Sequence, residues 1–456
     1  MAPGLTGKGD GSCAGPRLKL ANSRLSSRWL PATEVNRLAV KVLAVELTRP
    51  FPTLDHLDLA RYSHLQILVR QKDHPIGYVW VEAKSPRFLQ ESYLRPVIEQ
   101  QLFAELNQAA LLSLLGEADH LLENGDEELP HVTVAICTRG RPQSLRRTLN
   151  TLVELDYPPH LLDLLIIDNA PEDDATAKLV AEFPQIRYVM EPRPGLNWAR
   201  ICAAREALGS IVAYTDDDVA VDPLWVKALA RHFANEAVMC VTGLVAPAAR
   251  ETAAQNIFEE YGGFGRGFEC RYYTMGMRKH WRFWPLGAGV FGTGCNMAYR
   301  KSLFAKIGDF DPALDVGTPT HGAGDHDMFY RTLRAGYILV YEPAALIWHY
   351  HRPSYEKLRD QLYDFGRGVY AFWTKTFFDD APMRWRTLTF ATLWFGGWFV
   401  KRLLRRPKGY PRGLVMVEAV GALRGPLAYW QSRRHVRRIQ QQFGEQPLPP
   451  LLGEPT

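Results

Sequence analysis

The chain is short of cysteine, of long apolar runs and of charge of one sign. Its six cysteines, Cys13, Cys137, Cys202, Cys240, Cys270 and Cys295, stand far apart in 456 residues and form no CxxC pair. Such spacing suggests neither a zinc site nor a disulfide framework, and it fits a reducing cytosol. Residues 1–30 are rich in Gly, Ser, Lys and Arg and lack the apolar region of a signal peptide, so a disordered start is expected there. Thr387–Val400, an apolar stretch in the tail, has 14 residues, against the roughly 20 that span a bilayer. Lys and Arg number 54 against 49 Asp and Glu, a net charge of +5. That is too small a surplus to argue for nucleic acid, although a basic excess gathers after Lys401. What is present, 46% hydrophobic and 23% charged residues, fits a soluble or peripherally attached globular protein. The length predicts two or three units.

One stretch stands out. Ile211-Val212-Ala213-Tyr214 reads as a buried strand, and it runs into three consecutive carboxylates, Asp216, Asp217 and Asp218. Val219–Asp222 with Pro223 suits the first turn of a helix. A strand ending in acids places them at the rim of a sheet, where α/β proteins bind ligands. Adjacent like charges call for a partner, and a hard divalent cation is the natural one. A solvated acidic turn is the alternative.

Around this stretch the chain divides. Residues 31–116 predict a small α+β domain: a strand near Leu38–Val45, strands at Ile67–Gln71 and Ile76–Val81 joined by a Lys72–Pro75 turn, and a helix over Tyr93–Leu115. Residues 117–130 read as an acidic linker. From His131 strands and helices alternate, which predicts a parallel, nucleotide-binding type of sheet. Val132–Cys137, Leu164–Ile167 and Ile211–Tyr214 all end in polar residues on one rim, at Thr138, at Asp168-Asn169 and at the acid cluster. Gly262–Gly294 is rich in Gly and aromatics without a period, and such stretches are more often functional than idle. Gly317–Gly324 reads as a flexible loop leading into Asp325-His326-Asp327 at the head of a helix.

Residues 131–352 resemble a family 2 glycosyltransferase with the GT-A fold. The resemblance rests on six elements in order. They are Cys137-Thr138-Arg139, Ile167-Asp168-Asn169, Gly195–Arg200, the Asp216-Asp217-Asp218 DXD motif, Gly308–Asp311, and Asp325-His326-Asp327 with Arg331. It implies a Rossmann-like nucleotide-diphospho-sugar domain that moves a sugar, with inversion, from a nucleotide-diphosphate donor such as a UDP-sugar to a hydroxyl of a glycan or glycolipid. Mg²⁺ or Mn²⁺ held by Asp216 and Asp218 would stabilise the leaving diphosphate, with Asp217 left for the donor sugar or ribose. Thr138 and Asp168 match positions that hold the nucleoside, and Arg200 one near the nucleotide. Asp168-Asn169 also suits a simple turn, and Arg200 also suits a helix surface. Asp325 matches the base that deprotonates the acceptor, or else caps its helix. The family commonly has Glu-Asp here, where this chain has Gly324-Asp325. Asp327 is expected to pair with Arg331 at i,i+4. Some relatives add a histidine to the metal, which makes His349 a third ligand or else a histidine bonded near Trp348. Trp281–Trp284, with Trp284 as the principal contact, reads either as an acceptor platform or as core.

The tail, residues 353–445, predicts amphipathic helices, and residues 446–456 a disordered end. Apolar stretches with aromatics and flanking arginines over 385–440 suggest peripheral contact with the cytoplasmic face of a membrane, or else packing on the catalytic domain. The resulting expectation is a cytoplasmic, membrane-associated hexosyltransferase of polysaccharide or glycolipid synthesis. Two other readings remain. One is a sugar nucleotidyltransferase, which the single glycine in Thr138–Pro142 disfavours. The other is an inactive carbohydrate- or nucleotide-binding scaffold, for which Gly324 is the only support.

Overall fold

The computed structural model describes residues 39–51, 59–83, 90–114, 129–278, 281–405 and 411–444. The expected disordered ends, and 117–128 of the expected linker, lie outside the described residues.

Three strands form a first sheet: β1 (Ala39–Glu46), β2 (Tyr62–Gln71) and β3 (His74–Glu82). β1 runs parallel to β2, and β2 antiparallel to β3. The hairpin turn is shorter than its composition predicts. Only Lys72 and Asp73 form it, both with positive φ, as a two-residue hairpin favours. Their backbone N–H groups donate to the Glu46 carboxylate at 3.0 and 2.9 Å, which holds the tight turn and leaves His74 and Pro75 to β3. The predicted single helix is two, Glu91–Gln101 and Phe103–Leu114. Leu94, Ile98 and Leu102 pack on Ile67, Val69 and Val79 of the sheet.

The second sheet has nine strands: β4 (Val132–Thr138), β5 (Leu162–Asn169), β6 (Ile186–Glu191), β7 (Ile211–Thr215), β8 (Val219–Val221), β9 (Val238–Pro247), β10 (Arg271–Tyr273), β11 (Asn296–Arg300) and β12 (Ile338–His349). Their order is β10-β12-β9-β11-β7-β4-β5-β6, with β8 paired to β12. β4 to β7 are mutually parallel. β11 enters antiparallel between β7 and β9, so the whole is mixed rather than parallel. Both faces are covered, and alternate residues serve opposite faces. In β5, Leu165 and Ile167 join one core with Tyr214, Met297 and Phe329, whereas Leu164 and Ile166 join the other with Val134, Ala213 and Val340.

β8 corrects an expectation. Val219–Val221 is not the start of a helix but pairs with Ile347–His349. The Thr148 hydroxyl donates to Val219 O at 2.7 Å, and the Val221 N–H donates to the Thr151 hydroxyl at 3.1 Å. Those bonds hold the segment extended, and the helix waits until Trp225. The pairing sets His349 beside the acid cluster.

The first sheet docks on the second. Arg70 reaches Asp222 at 2.6 Å, buried Arg250 donates to Gln66 at 2.9 Å, and Leu68 packs with Leu244, Ala246 and Leu346.

The tail is helical: Tyr355–Asp379, capped by the Ser354 hydroxyl; Arg384–Trp394, which widens into a π-helical turn at Phe395–Val400 and continues through Lys401–Arg405; and Arg412–Gln442. The first and last cross at glycines. A Cβ on Gly366 would lie 2.1 Å from Glu418 O, and one on Gly421 2.1 Å from Tyr363 O. The tail also packs on the central unit, with Lys375 Nζ 3.1 Å from Asp327 and Trp373 bonded to Leu286 O at 3.0 Å. Its outer side leaves Trp385, Leu388, Leu404, Met416, Val420, Leu423 and Leu427 exposed. No helix among the described residues is long and apolar enough to cross a membrane.

Candidate active site

β7 ends at Thr215, and the next three side chains part company. Asp217 turns back toward β4, where the Thr138 hydroxyl donates to it at 2.6 Å and Arg141 at 3.3 Å. Asp218 is shared: one oxygen lies 3.8 Å from Arg141, while the other joins Asp216 and His349. The Asp216 and Asp218 carboxylates and the His349 imidazole offer ligand atoms that all lie within 4.8 Å of one another. Thr138 and Asp217 therefore bond each other, and Arg141, which sequence reading passed over, completes their contact.

The acid pair is electrostatically uncomfortable. Burial pushes Asp216 up to about 6 against the pull of Arg200. Burial, together with Asp216 and Asp217, pushes Asp218 up to about 7. Asp218 Oδ1 is buried with no hydrogen-bond partner and faces His349 Nε2 at 3.3 Å. Burial holds the His349 imidazole neutral, well below the ordinary histidine pKa, and His351 and Arg352 add to this.

A proton assignment follows from the histidine pair. His351 Nε2 lies 2.7 Å from Glu259 Oε1, and His351 Nδ1 lies 3.1 Å from His349 Nδ1. A carboxylate only accepts. In the tautomer in which His351 Nε2–H donates to Glu259 and its Nδ1 accepts from His349 Nδ1–H, His349 Nε2 presents a lone pair toward the Asp218 carboxylate, an arrangement that fits a cation. Two carboxylates and one imidazole suit Mn²⁺ or Mg²⁺.

Across the rim, Arg200 is buried in the helix Leu196–Glu206 rather than set on its surface. It donates to Gly294 O and Asn197 Oδ1, both at 3.3 Å. Burial opposes its charge, but Asp216 and Asp325 outweigh that and raise its pKa. Asp325 stands in the first turn of the helix Gly324–Arg334, where free N–H groups favour a carboxylate. A Cβ on Gly294 would lie 2.8 Å from Arg200 Nη2 and 3.3 Å from Asp325 Oδ2, so that glycine keeps the space between them open. Asp327 points away and bonds Arg331 at 2.7 Å.

Gly324, where the resemblance leads one to expect glutamate, has a steric cause. A Cβ there would lie 2.3 Å from Asn197 Nδ2 and 2.9 Å from Leu314 O. Asn197 fills the place, donating to Asp311 O and Leu314 O at 2.8 and 2.9 Å. The loop before it is packed rather than loose, with Thr318 and Thr320 buried. Asp315 accepts from the Leu196 and Asn197 N–H groups at 2.9 Å each, binding this loop to the Arg200 helix.

Asp168 pairs with Thr138 across β4 and β5. Its Oδ2 accepts from Tyr188 at 2.9 Å, its Oδ1 is buried without a partner, and burial raises its pKa. Trp284 is not brought to the cluster. It is 5% exposed and packs on Tyr273 and Phe291, with its N–H on Thr274 O. Its neighbours Trp281 and Phe283 instead line an open apolar groove with Phe390, Leu393, Trp394 and Trp398.

Residues 133–308 match the family model described as Glycosyl transferase family 2. Among curated proteins, polypeptide N-acetylgalactosaminyltransferase 5 of Caenorhabditis elegans is 24% identical over 52% of this chain and 39% of its own length. Succinoglycan biosynthesis protein ExoM of Rhizobium meliloti is 25% identical over 50% of this chain and 68% of its own. The alignments thus cover about half of this chain, and this chain spans as little as 26% of the length of such a relative. Among solved structures, a mannosyltransferase from Pyrobaculum calidifontis in complex with GDP-Man and Mn²⁺ aligns with a TM-score of 0.41 at 17% identity, over 77% of this chain and 88% of that one.

Proposed function

We propose that the chain is a metal-dependent inverting glycosyltransferase of the GT-A type, taking a nucleotide-diphosphate sugar and a glycan or lipid-linked hydroxyl acceptor. The observation that carries the reading is the facing of His349 Nε2 and Asp218 Oδ1 beside Asp216, the two acids standing at a strand end inside the matched segment 133–308. Asp216, Asp218 and His349 would hold the divalent cation. When bound, it would act as a Lewis acid toward the diphosphate.

The chain's own groups supply the rest. Asp168 Oδ1, buried and unsatisfied, gains a partner if a nucleoside N–H or O–H is presented at the rim, which recovers the cost of a buried unpaired acceptor. Thr138 and Arg141 act through Asp217, fixing the backbone from which Asp216 and Asp218 project. Asp325 accepts the proton of the acceptor hydroxyl as that oxygen bonds to the anomeric carbon and the bond to the diphosphate breaks on the opposite face. Arg200 sets a buried positive charge beside both Asp216 and Asp325.

The tail is proposed to rest on an anionic lipid surface. Between Ala381 and Gly444 the sequence carries thirteen Lys and Arg, and Glu418 is its only acid. That balance favours anionic lipid over a second copy of the same surface. The cytoplasmic side of the membrane belongs to the same proposal.

The test is equilibrium binding of UDP-, GDP- and dTDP-sugars with Mn²⁺, Mg²⁺ or EDTA. One donor is expected to bind only with metal, and Asp216→Ala to abolish that binding. A donor bound equally well in EDTA would sink the metal assignment. No donor bound under any condition would leave a scaffold as the better reading.

A further inference from the structure

A second group of ligating side chains lies away from this rim. His232, Cys270 and Glu342 offer ligand atoms all within 4.8 Å of one another. His232 sits in the short 3₁₀ turn Arg231–Ala234, Cys270 just before β10, and Glu342 within β12. Glu342 pairs with Gly243 of β9, and His349 with Pro247. Four residues of extended strand, roughly 13 Å, therefore separate this group from the donor-site histidine.

The geometry is that of oriented ligands. His232 Nε2 lies 2.8 Å from Glu342 Oε2. The far nitrogen of the ring, Nδ1, is bonded to the Tyr272 hydroxyl at 3.1 Å. The other carboxylate oxygen, Oε1, accepts from the Ala344 N–H at 2.8 Å. His232 and Glu342 are thus each held by one atom and meet each other through the atom a metal would take, the orientation that outer partners impose on metal ligands. The register of β12 against β9 slips between Glu342 and Leu346, and such bulges re-aim side chains.

We propose that His232, Cys270 and Glu342 bind one zinc ion, and that the ion fastens the segment before β10 to β12 and to the Arg231–Ala234 turn. Nitrogen, sulfur and oxygen donors together select zinc over the hard cations that suit Asp216 and Asp218. Binding replaces the thiol proton of Cys270, which goes to solvent, with a sulfur–zinc bond. The site stands independently of the donor-site reading.

The test uses the full chain, stripped with EDTA and titrated with Co²⁺ alone and then with Zn²⁺. One cobalt is expected to give a thiolate-to-metal absorption in the near ultraviolet, which Zn²⁺ bleaches. The band should be lost in Cys270→Ser and kept in Asp218→Asn, which separates this site from the other. Zn²⁺ should raise the melting temperature of the parent and of Asp218→Asn but not of Cys270→Ser. No band, or a band that survives Cys270→Ser, overturns the site. Cys270 is exposed, so its serine variant is expected to fold, and circular dichroism checks that it does.

Discussion

The imidazoles of His349 and His351 meet Nδ1 to Nδ1 at 3.1 Å. In the tautomer in which His351 Nε2–H donates to Glu259 on its far side, His351 Nδ1 accepts from His349 and leaves His349 Nε2 for a metal. Glu259→Gln turns an obligate acceptor into a group that can also donate. It is expected to weaken Mn²⁺ binding about 10–100-fold, the usual effect of losing an outer partner of a metal-bound histidine. A calorimetric Mn²⁺ titration of the two proteins reads it, and equal affinity would refute the proton assignment.

Asp325 and Asp216 should separate binding from turnover. Asp325→Asn keeps the shape but cannot take a proton. Donor affinity should stay within a factor of about three, and turnover should fall roughly 10²–10⁴-fold. A variant that loses both equally would place Asp325 in donor binding.

Gly324→Glu restores the acid common in the family and should fail. The Asn197 amide already stands where its Cβ must go, so overpacking of about 1–3 kcal/mol is expected. Adding Asn197→Ala should recover part of that loss, because the two positions are in contact. Melting curves of the four proteins measure the coupling, and strictly additive shifts would contradict the steric account.

Glu418 predicts a pH dependence. Burial alone pushes its pKa up to about 8, and the Tyr261 hydroxyl and Trp398 N–H are its bonded neighbours. A pKa raised on folding contributes stability that is complete below the unfolded value near 4.5 and is lost as pH rises through about 8. Glu418→Gln cannot ionise. It should raise the melting temperature at pH 8–9 and give no gain near pH 4. Equal shifts at both ends would show that ionisation is not the cause.

Met416, Val420, Leu423 and Leu427 recur at intervals of three and four along one helix and are exposed. Leu423→Glu with Leu427→Glu should cut co-sedimentation with phosphatidylserine vesicles about tenfold or more, through lost apolar contact and added negative charge. Fold and donor binding should be unchanged. Unaltered sedimentation would remove this face from the interface.

What could be read from the sequence was what periodicity and strand ends report. β4, β5, β7 and the acid cluster lay in plain view because apolar runs end abruptly in polar residues. β8 was not legible. Three residues carry no period, and their extension depends on Thr148, Thr151 and β12. The division of the acids was not legible either, since Asp217 turns away only because Thr138 and Arg141 receive it. Trp284 looked like a surface for a sugar because composition cannot distinguish a stacking face from a core. The reason for Gly324 needed Asn197, 127 positions earlier, in view. The His232, Cys270 and Glu342 group has no local spacing at all.

Lys375 changes the meaning of the boundary drawn near Arg352. Its ammonium lies 3.1 Å from Asp327 and, with Arg331, holds that buried carboxylate below its ordinary pKa although burial pushes the other way. Asp327 is two residues from Asp325 on the same helical turn. A fragment cut at Arg352 would keep Asp216, Asp218, Asp325 and His349 and lose the cation that steadies the helix carrying Asp325. The tail is therefore a counter-charge for the central unit as well as a neighbour, and separating the two would strand Asp327 with one cation fewer.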